Sequence, residues 1–320
     1  MKKGLIFLVF MTGLLLVGCS GESDISEFPS KPIKLMVVFP PGGGTDNQAR
    51  IISEYAQKYL DEELVIVNKP GGGGRVGWNE FTQVNPDGYA LAAYNLPHII
   101  SQPLVGSTSY QTKDFEPIVN WGGDPTVFAV KKGSNIQNLE DLIKRSKQNP
   151  DSITIGHSGK YVGQHLAILQ LENAVGIQLK DVAFGGSSEA NASLLGGHID
   201  VISGNLSGIT RLGDQVRPLA IATEKRHEYA PDIPTFKELG YSNVIMSTDR
   251  GIAARKGTPD EVIAKLEKAF MELLQDKQFQ AEMRKAGAGT LIMDRKETIK
   301  EIEERKEEYE KLLKTIGVLD

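Results

Sequence analysis

Two glycine loops are the segments of this sequence best suited to hold a ligand. They read FPPGGGTD (39–46) and KPGGGGRVG (69–77), and each follows an apolar run and leads into a helix-forming segment. Glycine loops expose backbone N–H groups, and the N-terminus of the following helix attracts negative charge. A loop without side chains also lets a small carboxylate approach closely. One such loop would indicate only a tight turn, but the pair favours an anion-binding site.

The second loop also has the spacing of a dinucleotide-binding motif, Gly72-x-Gly74-x-x-Gly77. Such a site needs an acidic residue about 20 positions further on for the ribose. The nearest candidate is Asp87, which lies in the turn sequence NPDG instead of at a strand end. The first loop lacks the lysine of a Walker motif. We therefore expect no nucleotide cofactor, and no other cofactor is predicted.

A third loop, GHSGKYVGQH (156–165), suggests nucleophilic chemistry without completing its motif. A hydrolase nucleophile elbow reads G-x-S-x-G, and Lys160 stands where the last glycine belongs. Ser158 and His165 are therefore the residues of an alternative function, that of an extracytoplasmic hydrolase. His157 and His165, without a cysteine or a further histidine pair, are too few for a zinc site, so no metal site is predicted.

Short apolar runs alternate with helix-forming segments from residue 33 onward, which predicts an α/β fold with largely parallel sheets. Three helix starts can be identified. Asn138 is placed to cap one helix, Asp294 and Glu297 form a capping box, and a further box with proline at the first helical position is expected at Thr258–Glu261. The predicted strands are 34–39, 64–68, 89–94, 126–130, 152–156, 201–204, 217–222 and 251–254.

The N-terminal segment predicts export and lipid attachment. Residues 1–18 combine a basic start with an apolar run, as in a bacterial signal peptide, and the sequence LVGC (16–19) resembles a lipobox. Cys19 is the only cysteine of the chain, so it cannot form an internal disulfide, and we expect it to carry a lipid anchor. Residues 19–29 would then tether the body to the bacterial membrane, on the cell surface or in the periplasm. An ordinary signal peptide and an uncleaved anchor are the alternatives.

The charge balance excludes several classes of partner. The chain has a formal net charge of −5, and removal of Lys2 and Lys3 with the signal peptide makes it more negative. An acidic body without a basic run argues against binding to nucleic acid and against broad contact with anionic lipid. A cation or nucleotide binder is an alternative that this charge permits.

The order and spacing of several further segments are highly specific. They are NPDGY (85–89), DFEPI (114–118), LLGGHIDV (194–201), VRPLAIAT (216–223), PDIPTFKELGY (231–241) and KGTPDEVIAKL (256–266). Together with the three glycine loops they resemble the substrate-binding proteins of the tripartite tricarboxylate transporter family, the Bug receptors. The resemblance implies a two-lobed type II periplasmic-binding-protein fold with two crossover strands. Lobe 1 would comprise residues 30–126 plus 249–320, and lobe 2 residues 127–248.

This resemblance also implies a function. It indicates a monomeric extracytoplasmic receptor, and not an enzyme, that binds a small organic carboxylate by hinge closure and delivers it to integral membrane transporter subunits. A receptor that serves sensing alone is an alternative. Carried over position by position, the ligand contacts implied are Phe39, Gly43, Gly44, Asp46, Gly73, Gly74 and Asn95 in lobe 1, and Ser158, Gly159, His165, Phe184, Gly186, Ser187 and Asn205 in lobe 2.

The sequence departs from the family pattern at three places. In the third loop Tyr161, Val162 and Gln164 stand where relatives often have glycine, serine or threonine. Residues 183–186 read AFGG where relatives commonly have PYKG. At the second crossover, residues 248–250 read TDR where an aromatic residue is more usual. Asp249 would receive a ligand amino group, or Arg250 a distal carboxylate. Alternatively, these two side chains pair with each other or with solvent.

Overall fold

The computed structural model describes residues 27–106, 108–289 and 291–320. The predicted signal peptide, Cys19 and most of the tether lie outside the described residues. Within those ranges no helix is both long enough and apolar enough to cross a membrane.

One sheet organises the described part of the chain. Its strands are β1 (Ile33–Val37), β2 (Leu64–Asn68), β3 (Ala90–Leu96), β4 (Phe115–Lys131), β5 (Thr154–His157), β6 (Lys180–Ala183), β7 (Val201–Asn205), β8 (Val216–Ile221) and β9 (Ser247–Arg255). Their order is β2-β1-β3-β9-β4-β7-β5-β6, with β8 paired to β4. β1 pairs in parallel with β2 and β3, and β5 with β6 and β7, whereas the pairs made by β4 and β9 are antiparallel. The predicted α/β class is confirmed.

β4 joins the two halves of this sheet. Its residues 115–125 pair with β9, and residues 126–131 pair with β7 and β8. We call the half built on β1, β2, β3 and β9 the first lobe and the half built on β5, β6, β7 and β8 the second lobe. The chain returns to the first lobe beside β4, where the Thr126 N–H donates to the Met246 carbonyl (2.9 Å) directly before β9. Two strands therefore cross between the lobes, while the residue bounds predicted for each lobe stay a prediction.

Helices pack on the sheet and connect its strands. They are α1 (Gly44–Leu60), α2 (Arg75–Phe81), α3 (His98–Leu104), α4 (Leu139–Gln148), α5 (Gly163–Val175), α6 (Ser187–Gly196), α7 (Leu206–Leu212), α8 (Asp260–Leu274), α9 (Lys277–Lys285) and α10 (Arg295–Thr315). The capping box of α10 is confirmed, because the Glu297 N–H donates to Asp294 Oδ1 (2.8 Å) and the Asp294 N–H donates to Glu297 Oε2 (3.1 Å). Asn138 caps α4 by accepting from the Asp141 N–H (2.8 Å).

One sequence-based prediction of local structure is wrong, and one strand is longer than predicted. The capping box at Thr258 does not form, because Thr258 Oγ1 donates to the Arg255 carbonyl (2.8 Å) and Pro259 precedes helix α8. The strand predicted at 126–130 is only the end of the 17-residue β4. Proline and glycine in residues 115–125 interrupt the apolar pattern there, although the pairing with β9 continues through register shifts. The short strand β6 was also missed, since its sequence KDVA is exposed or half-buried and shows no apolar run.

Candidate functional site

A small cavity lies between the lobes, at the carboxyl ends of the parallel strands β1, β3, β5 and β7. Ligands of open α/β sheets bind at this edge. The cavity has a volume of ≈ 10 Å³, which is about the space of one water molecule. An organic acid is larger, so the lobes must move apart to admit one. The lining residues are Phe39, Gly43, Gly44, Thr45, Asn95, His98, Ser158, Gln164, Ser187, Asn205, Thr248 and Arg250.

The N-terminus of helix α1 forms the first-lobe wall. Gly43 precedes the helix and supplies no capping side chain. The first N–H groups of a helix have no partner inside it, and Gly44 and Thr45, which carry two of them, line the cavity. Space is tight here, because a Cβ added at Gly44 would lie 2.9 Å from Arg250 Nη2. This wall therefore presents backbone donors and the positive end of a helix to an anion.

Asp46, a predicted ligand contact, faces away from the cavity and holds the glycine loop in shape. Its carboxylate accepts from the Gly42 N–H (2.9 Å), from Asn68 Nδ2 (2.8 Å) and from Arg50 (3.0 Å). Burial acts to raise the pKa of Asp46, but the hydrogen bonds from Arg50, Asn68 and Gly42 hold it below its ordinary value. The contacts of Asp46 thus support a structural role and do not support direct contact with a ligand.

The second glycine loop forms a contact between the lobes instead of lining the cavity. Gly73 lies against Gly159 of the third loop, and a Cβ at Gly159 (φ +140°) would come within 2.6 Å of Gly73 Cα. Gly74 packs on Trp78, whose ring a Cβ at Gly74 would meet at 2.6 Å. These three glycines, all predicted ligand contacts, permit close packing of the lobes and of the core.

Phe184 and Gly186 of the second lobe also lie outside the cavity lining. Phe184 packs beside Gly156, where an added Cβ would meet its ring at 2.9 Å. Gly186 faces Pro40 of the first glycine loop, and a Cβ there would meet the proline Cδ at 2.5 Å. Gly186 therefore adds to the contact between the lobes.

A buried ion pair lies beside the cavity. Arg250 Nη1 donates to Asp124 Oδ2 (2.7 Å), and the two side chains are 3% and 1% exposed. Arg250 Nε donates to Thr45 Oγ1 (3.1 Å), and Asp124 also accepts from the N–H (3.0 Å) and the hydroxyl of Ser207. A role for Arg250 was expected from the sequence, but Asp124, which is 126 positions away, was not identified.

Asp249, another predicted ligand contact, points to the opposite face of β9. Neighbouring side chains of a strand alternate between its faces, so Thr248 and Arg250 line the cavity and Asp249 does not. Asp249 accepts from Ser247 Oγ (2.7 Å) and pairs with Arg305 of α10 (3.4 Å). Burial raises the pKa of Asp249, although the charge of Arg305 opposes this shift. The suggested pairing of Asp249 with Arg250 is wrong.

Asn95 and His98 bring polar atoms to the same cavity. Asn95 Nδ2 donates to Thr45 Oγ1 (2.9 Å). The His98 ring packs edge-on against Phe39 and Trp78, with centroids 5.9 and 6.2 Å away. Burial, together with the nearby charge of Arg250, lowers the pKa of His98 to about 3, so the ring is neutral at physiological pH. His98 was not identified from the sequence, although its position just beyond the end of β3 places it at the ligand-binding edge of the sheet.

Polar side chains linked by hydrogen bonds form the second-lobe wall. Ser158 Oγ donates to Gln164 Oε1 (2.8 Å), and Gln164 Nε2 donates to Asn205 Oδ1. Asn205 Nδ2 in turn donates to Thr248 Oγ1 (3.1 Å). Because Ser158 donates to Gln164 and not to His165, the nucleophile–base pair of the hydrolase alternative is not formed.

His165, also a predicted contact, belongs to a cluster behind this wall. Its Nδ1 accepts from the Tyr161 N–H (3.0 Å), and its ring stacks near His157 with centroids 4.7 Å apart. Burial is the main cause that lowers the pKa of His165 to about 3, so the ring is neutral. Its proton must then be on Nε2. Hydrogen bonds from His157 and Lys160 hold the pKa of Asp181 well below its usual range.

The structure thus places Asp181 beside His157 and His165, the two histidines of the third loop. One ligand atom from each of His157, His165 and Asp181 lies within 4.8 Å of the others. A metal bound to His165 Nε2 would displace the proton from this nitrogen to Nδ1. Nδ1 could then no longer accept the hydrogen bond from the Tyr161 N–H. The Lys160 ammonium already pairs with Asp181. This donor set therefore fits a loop-stabilising cluster better than a metal site.

Three further hydrogen bonds join the first lobe to the third loop. Arg75 Nη2 and Gln102 Nε2 both donate to the Lys160 carbonyl (3.2 Å each). Ser101 Oγ donates to the Tyr161 carbonyl (2.5 Å). Each bond joins a first-lobe side chain to the backbone of the third loop, so they can form only when the lobes are together.

Comparison with known proteins agrees with this architecture. Residues 48–318 match the family described as Tripartite tricarboxylate transporter family receptor. A Cupriavidus necator relative, named UPF0065 protein in gbd 5'region, is 29% identical over 275 residues, covering 85% of this chain and 83% of the relative.

Solved structures of similar proteins have the same fold. The periplasmic binding protein BugD is similar with a TM-score of 0.86 and 28% identity, covering 91% of this chain and 99% of BugD. The R. palustris protein Rpa4515 with adipate is similar with a TM-score of 0.86 and 25% identity, covering 91% of this chain and 98% of that protein. The two-lobed fold expected from the sequence is confirmed.

Proposed function

Because this chain belongs to the tripartite tricarboxylate transporter family of receptors, we propose that it captures a small organic carboxylate between its lobes and delivers it to integral membrane transporter subunits. As a member of this family it is a solute-binding protein and not an enzyme. The observation that carries the proposal is the interlobe cavity, whose wall combines the N-terminus of α1 with the Arg250 guanidinium. The similar protein Rpa4515 holds adipate, a dicarboxylate.

Hinge closure is the proposed mechanism. A ligand shifts an equilibrium toward the conformation that it contacts better. A carboxylate held by α1 and Arg250 on one side, and by Ser158 or Ser187 on the other, would contact both lobes only when they are close. The bonds from Arg75, Gln102 and Ser101 to the third loop then add to the stability of the closed form.

The first prediction tests carboxylate capture by thermal unfolding. A carboxylate that binds the folded protein at a hundredfold excess over its Kd should raise the free energy of unfolding by about 2.7 kcal/mol, by mass action. The measurement is a melting-temperature screen of the purified protein with di- and tricarboxylates, acidic amino acids and aromatic acids. The corresponding uncharged amides serve as controls. A melting temperature raised only by nucleotides or metal cations would overturn the proposal.

Lipid attachment at Cys19 is the second part of the proposal. The lipobox-like LVGC sequence and the acidic tether support an anchor that holds the monomer at the membrane, outside the cytoplasm. Through this anchor the receptor would reach its transporter subunits. A sensing-only receptor is the second candidate, and it shares the same cleft.

The second prediction concerns this anchor. Replacing Cys19 with serine removes the thiol that would carry the lipid, so the protein should move from the membrane fraction to the soluble extracytoplasmic fraction. Immunoblots of fractionated cells, together with metabolic labelling by a palmitate analogue, measure the change. The variant Ser20→Ala keeps the thiol and should stay at the membrane. Equal membrane retention of the Cys19→Ser variant would contradict the anchor.

A further inference from the structure

Two side chains of the cavity carry polar atoms that no described residue satisfies. Asn95 is 2% exposed and His98 is 1% exposed. Asn95 Oδ1 and His98 Nδ1 are buried and make no hydrogen bond with the described parts of the chain. Buried polar atoms in native proteins are almost always paired with protein, water or ligand. Both side chains line the cavity, so a ligand there can supply the missing partner.

Donors for a carboxylate lie next to these two atoms. Asn95 Nδ2 and Arg250 Nε donate to the same atom, Thr45 Oγ1, at 2.9 and 3.1 Å. The amide and the guanidinium are therefore neighbours, as expected from the pairing of Asn95 with Arg250 between β3 and β9. Arg250 uses Nε and Nη1 for Thr45 and Asp124, and its Nη2 points toward Gly44 at the start of α1.

A carboxylate by itself does not match this set of atoms. An ionised carboxylate only accepts hydrogen bonds, and Asn95 Oδ1 is also only an acceptor. The ligand must therefore bring a donor as well. An ammonium group can donate to both Asn95 Oδ1 and His98 Nδ1. A hydroxyl can donate to Asn95 and accept from the neutral His98 ring.

Resting on the proposed function, we propose that the ligand is a 2-hydroxy or 2-amino acid, whose carboxylate meets Arg250 and the N-terminus of α1 while its neighbouring donor group meets Asn95 and His98. Groups on adjacent carbons fit this arrangement, because the Asn95 amide and the Arg250 guanidinium converge on one hydroxyl oxygen, Thr45 Oγ1.

Isothermal titration with matched acids tests this inference. Each set contains acids with one carbon chain that differ only in the group at carbon 2. The three sets are succinate, malate and aspartate; glutarate, 2-hydroxyglutarate and glutamate; and phenylpropionate, phenyllactate and phenylalanine. In the set that binds, a substituted acid should bind roughly tenfold to a hundredfold more tightly than its unsubstituted parent. Tightest binding by an acid without the donor group would overturn the inference and leave carboxylate capture intact. Absence of binding by every carboxylate would overturn both.

A histidine variant locates the effect. His98→Phe keeps a ring against Phe39 and Trp78 but removes both ring nitrogens, so preference for the substituted acid should fall roughly tenfold. Affinity for the unsubstituted parent should change little. The control His227→Phe alters a histidine outside the cavity lining and should keep the full preference. Melting temperatures confirm that each variant is folded, and an unchanged preference in His98→Phe would overturn the role of His98.

Discussion

Replacing Asp124 with alanine is expected to lower the free energy of unfolding by about 3–5 kcal/mol, because it leaves a buried guanidinium without its carboxylate. Arg250 is only 2% exposed, so water cannot take the place of the lost partner without opening the cleft. The change also removes the acceptor of the Ser207 N–H. Urea unfolding followed by circular dichroism measures the loss.

Two comparisons separate this effect from a general sensitivity to charge removal. Asp141 pairs with Arg145 on the surface of α4 (2.8 Å), and its replacement by alanine should cost much less stability, because solvent screens an exposed pair. The double variant Asp124→Leu with Arg250→Met removes both charges, and it should recover much of the lost stability while ligand binding stays impaired. If Asp124→Ala costs no more than Asp141→Ala, the ion pair does not have the importance assigned to it.

Replacing Gly159 with alanine is expected to weaken ligand binding roughly a hundredfold, equivalent to about 2.8 kcal/mol. The new Cβ would lie 2.6 Å from Gly73 Cα, a backbone atom of the other lobe. The lobes would then be held apart, and the ligand would lose contacts from one of them. Titration of the best ligand measures the affinity, and small-angle scattering of the complex should show a larger radius of gyration than for the unaltered protein.

Gly133→Ala is the matched control for this substitution. Gly133 also has a positive φ (+85°), but an added Cβ there has no neighbour within 4 Å. Both variants carry the backbone strain of a side chain at positive φ, which costs of order 1–3 kcal/mol of stability. Only Gly159→Ala should weaken binding. A comparable loss of affinity in both variants would show that strain, and not the contact between the lobes, is the cause.

Local features of the fold could be predicted from the sequence. The strand β2 is present with the predicted bounds, and the capping box of Asp294 and Glu297 forms as expected. These features depend on residues close together in the chain, so their geometry follows from spacing alone. β4 could not be predicted in full, because Pro117 and two glycines interrupt its pattern while its neighbours in the sheet maintain its pairing.

The candidate site was predictable only in part, for a related reason. The glycine loop at α1 identified one wall, since a strand, a loop and a helix N-terminus are adjacent in sequence. The partner of Arg250 was not identifiable, because Asp124 reaches it only through the antiparallel pairing of β4 with β9. The direction of Asp249 depends on the register of the same pairing. Shifting a strand by one residue would exchange its two faces.

The passage of β4 through both lobes has a mechanical consequence. β4 is paired along its whole length, first with β9 and then with β7 and β8, so opening of the cleft must be taken up as a small change of twist along the ladder and not as free rotation about a linker. Pro125, which has no N–H to donate, is the last residue of β4 paired with β9 before the second lobe begins. β4 therefore resists twisting elastically. We expect it to limit the opening angle and to return the lobes to one resting separation after each release.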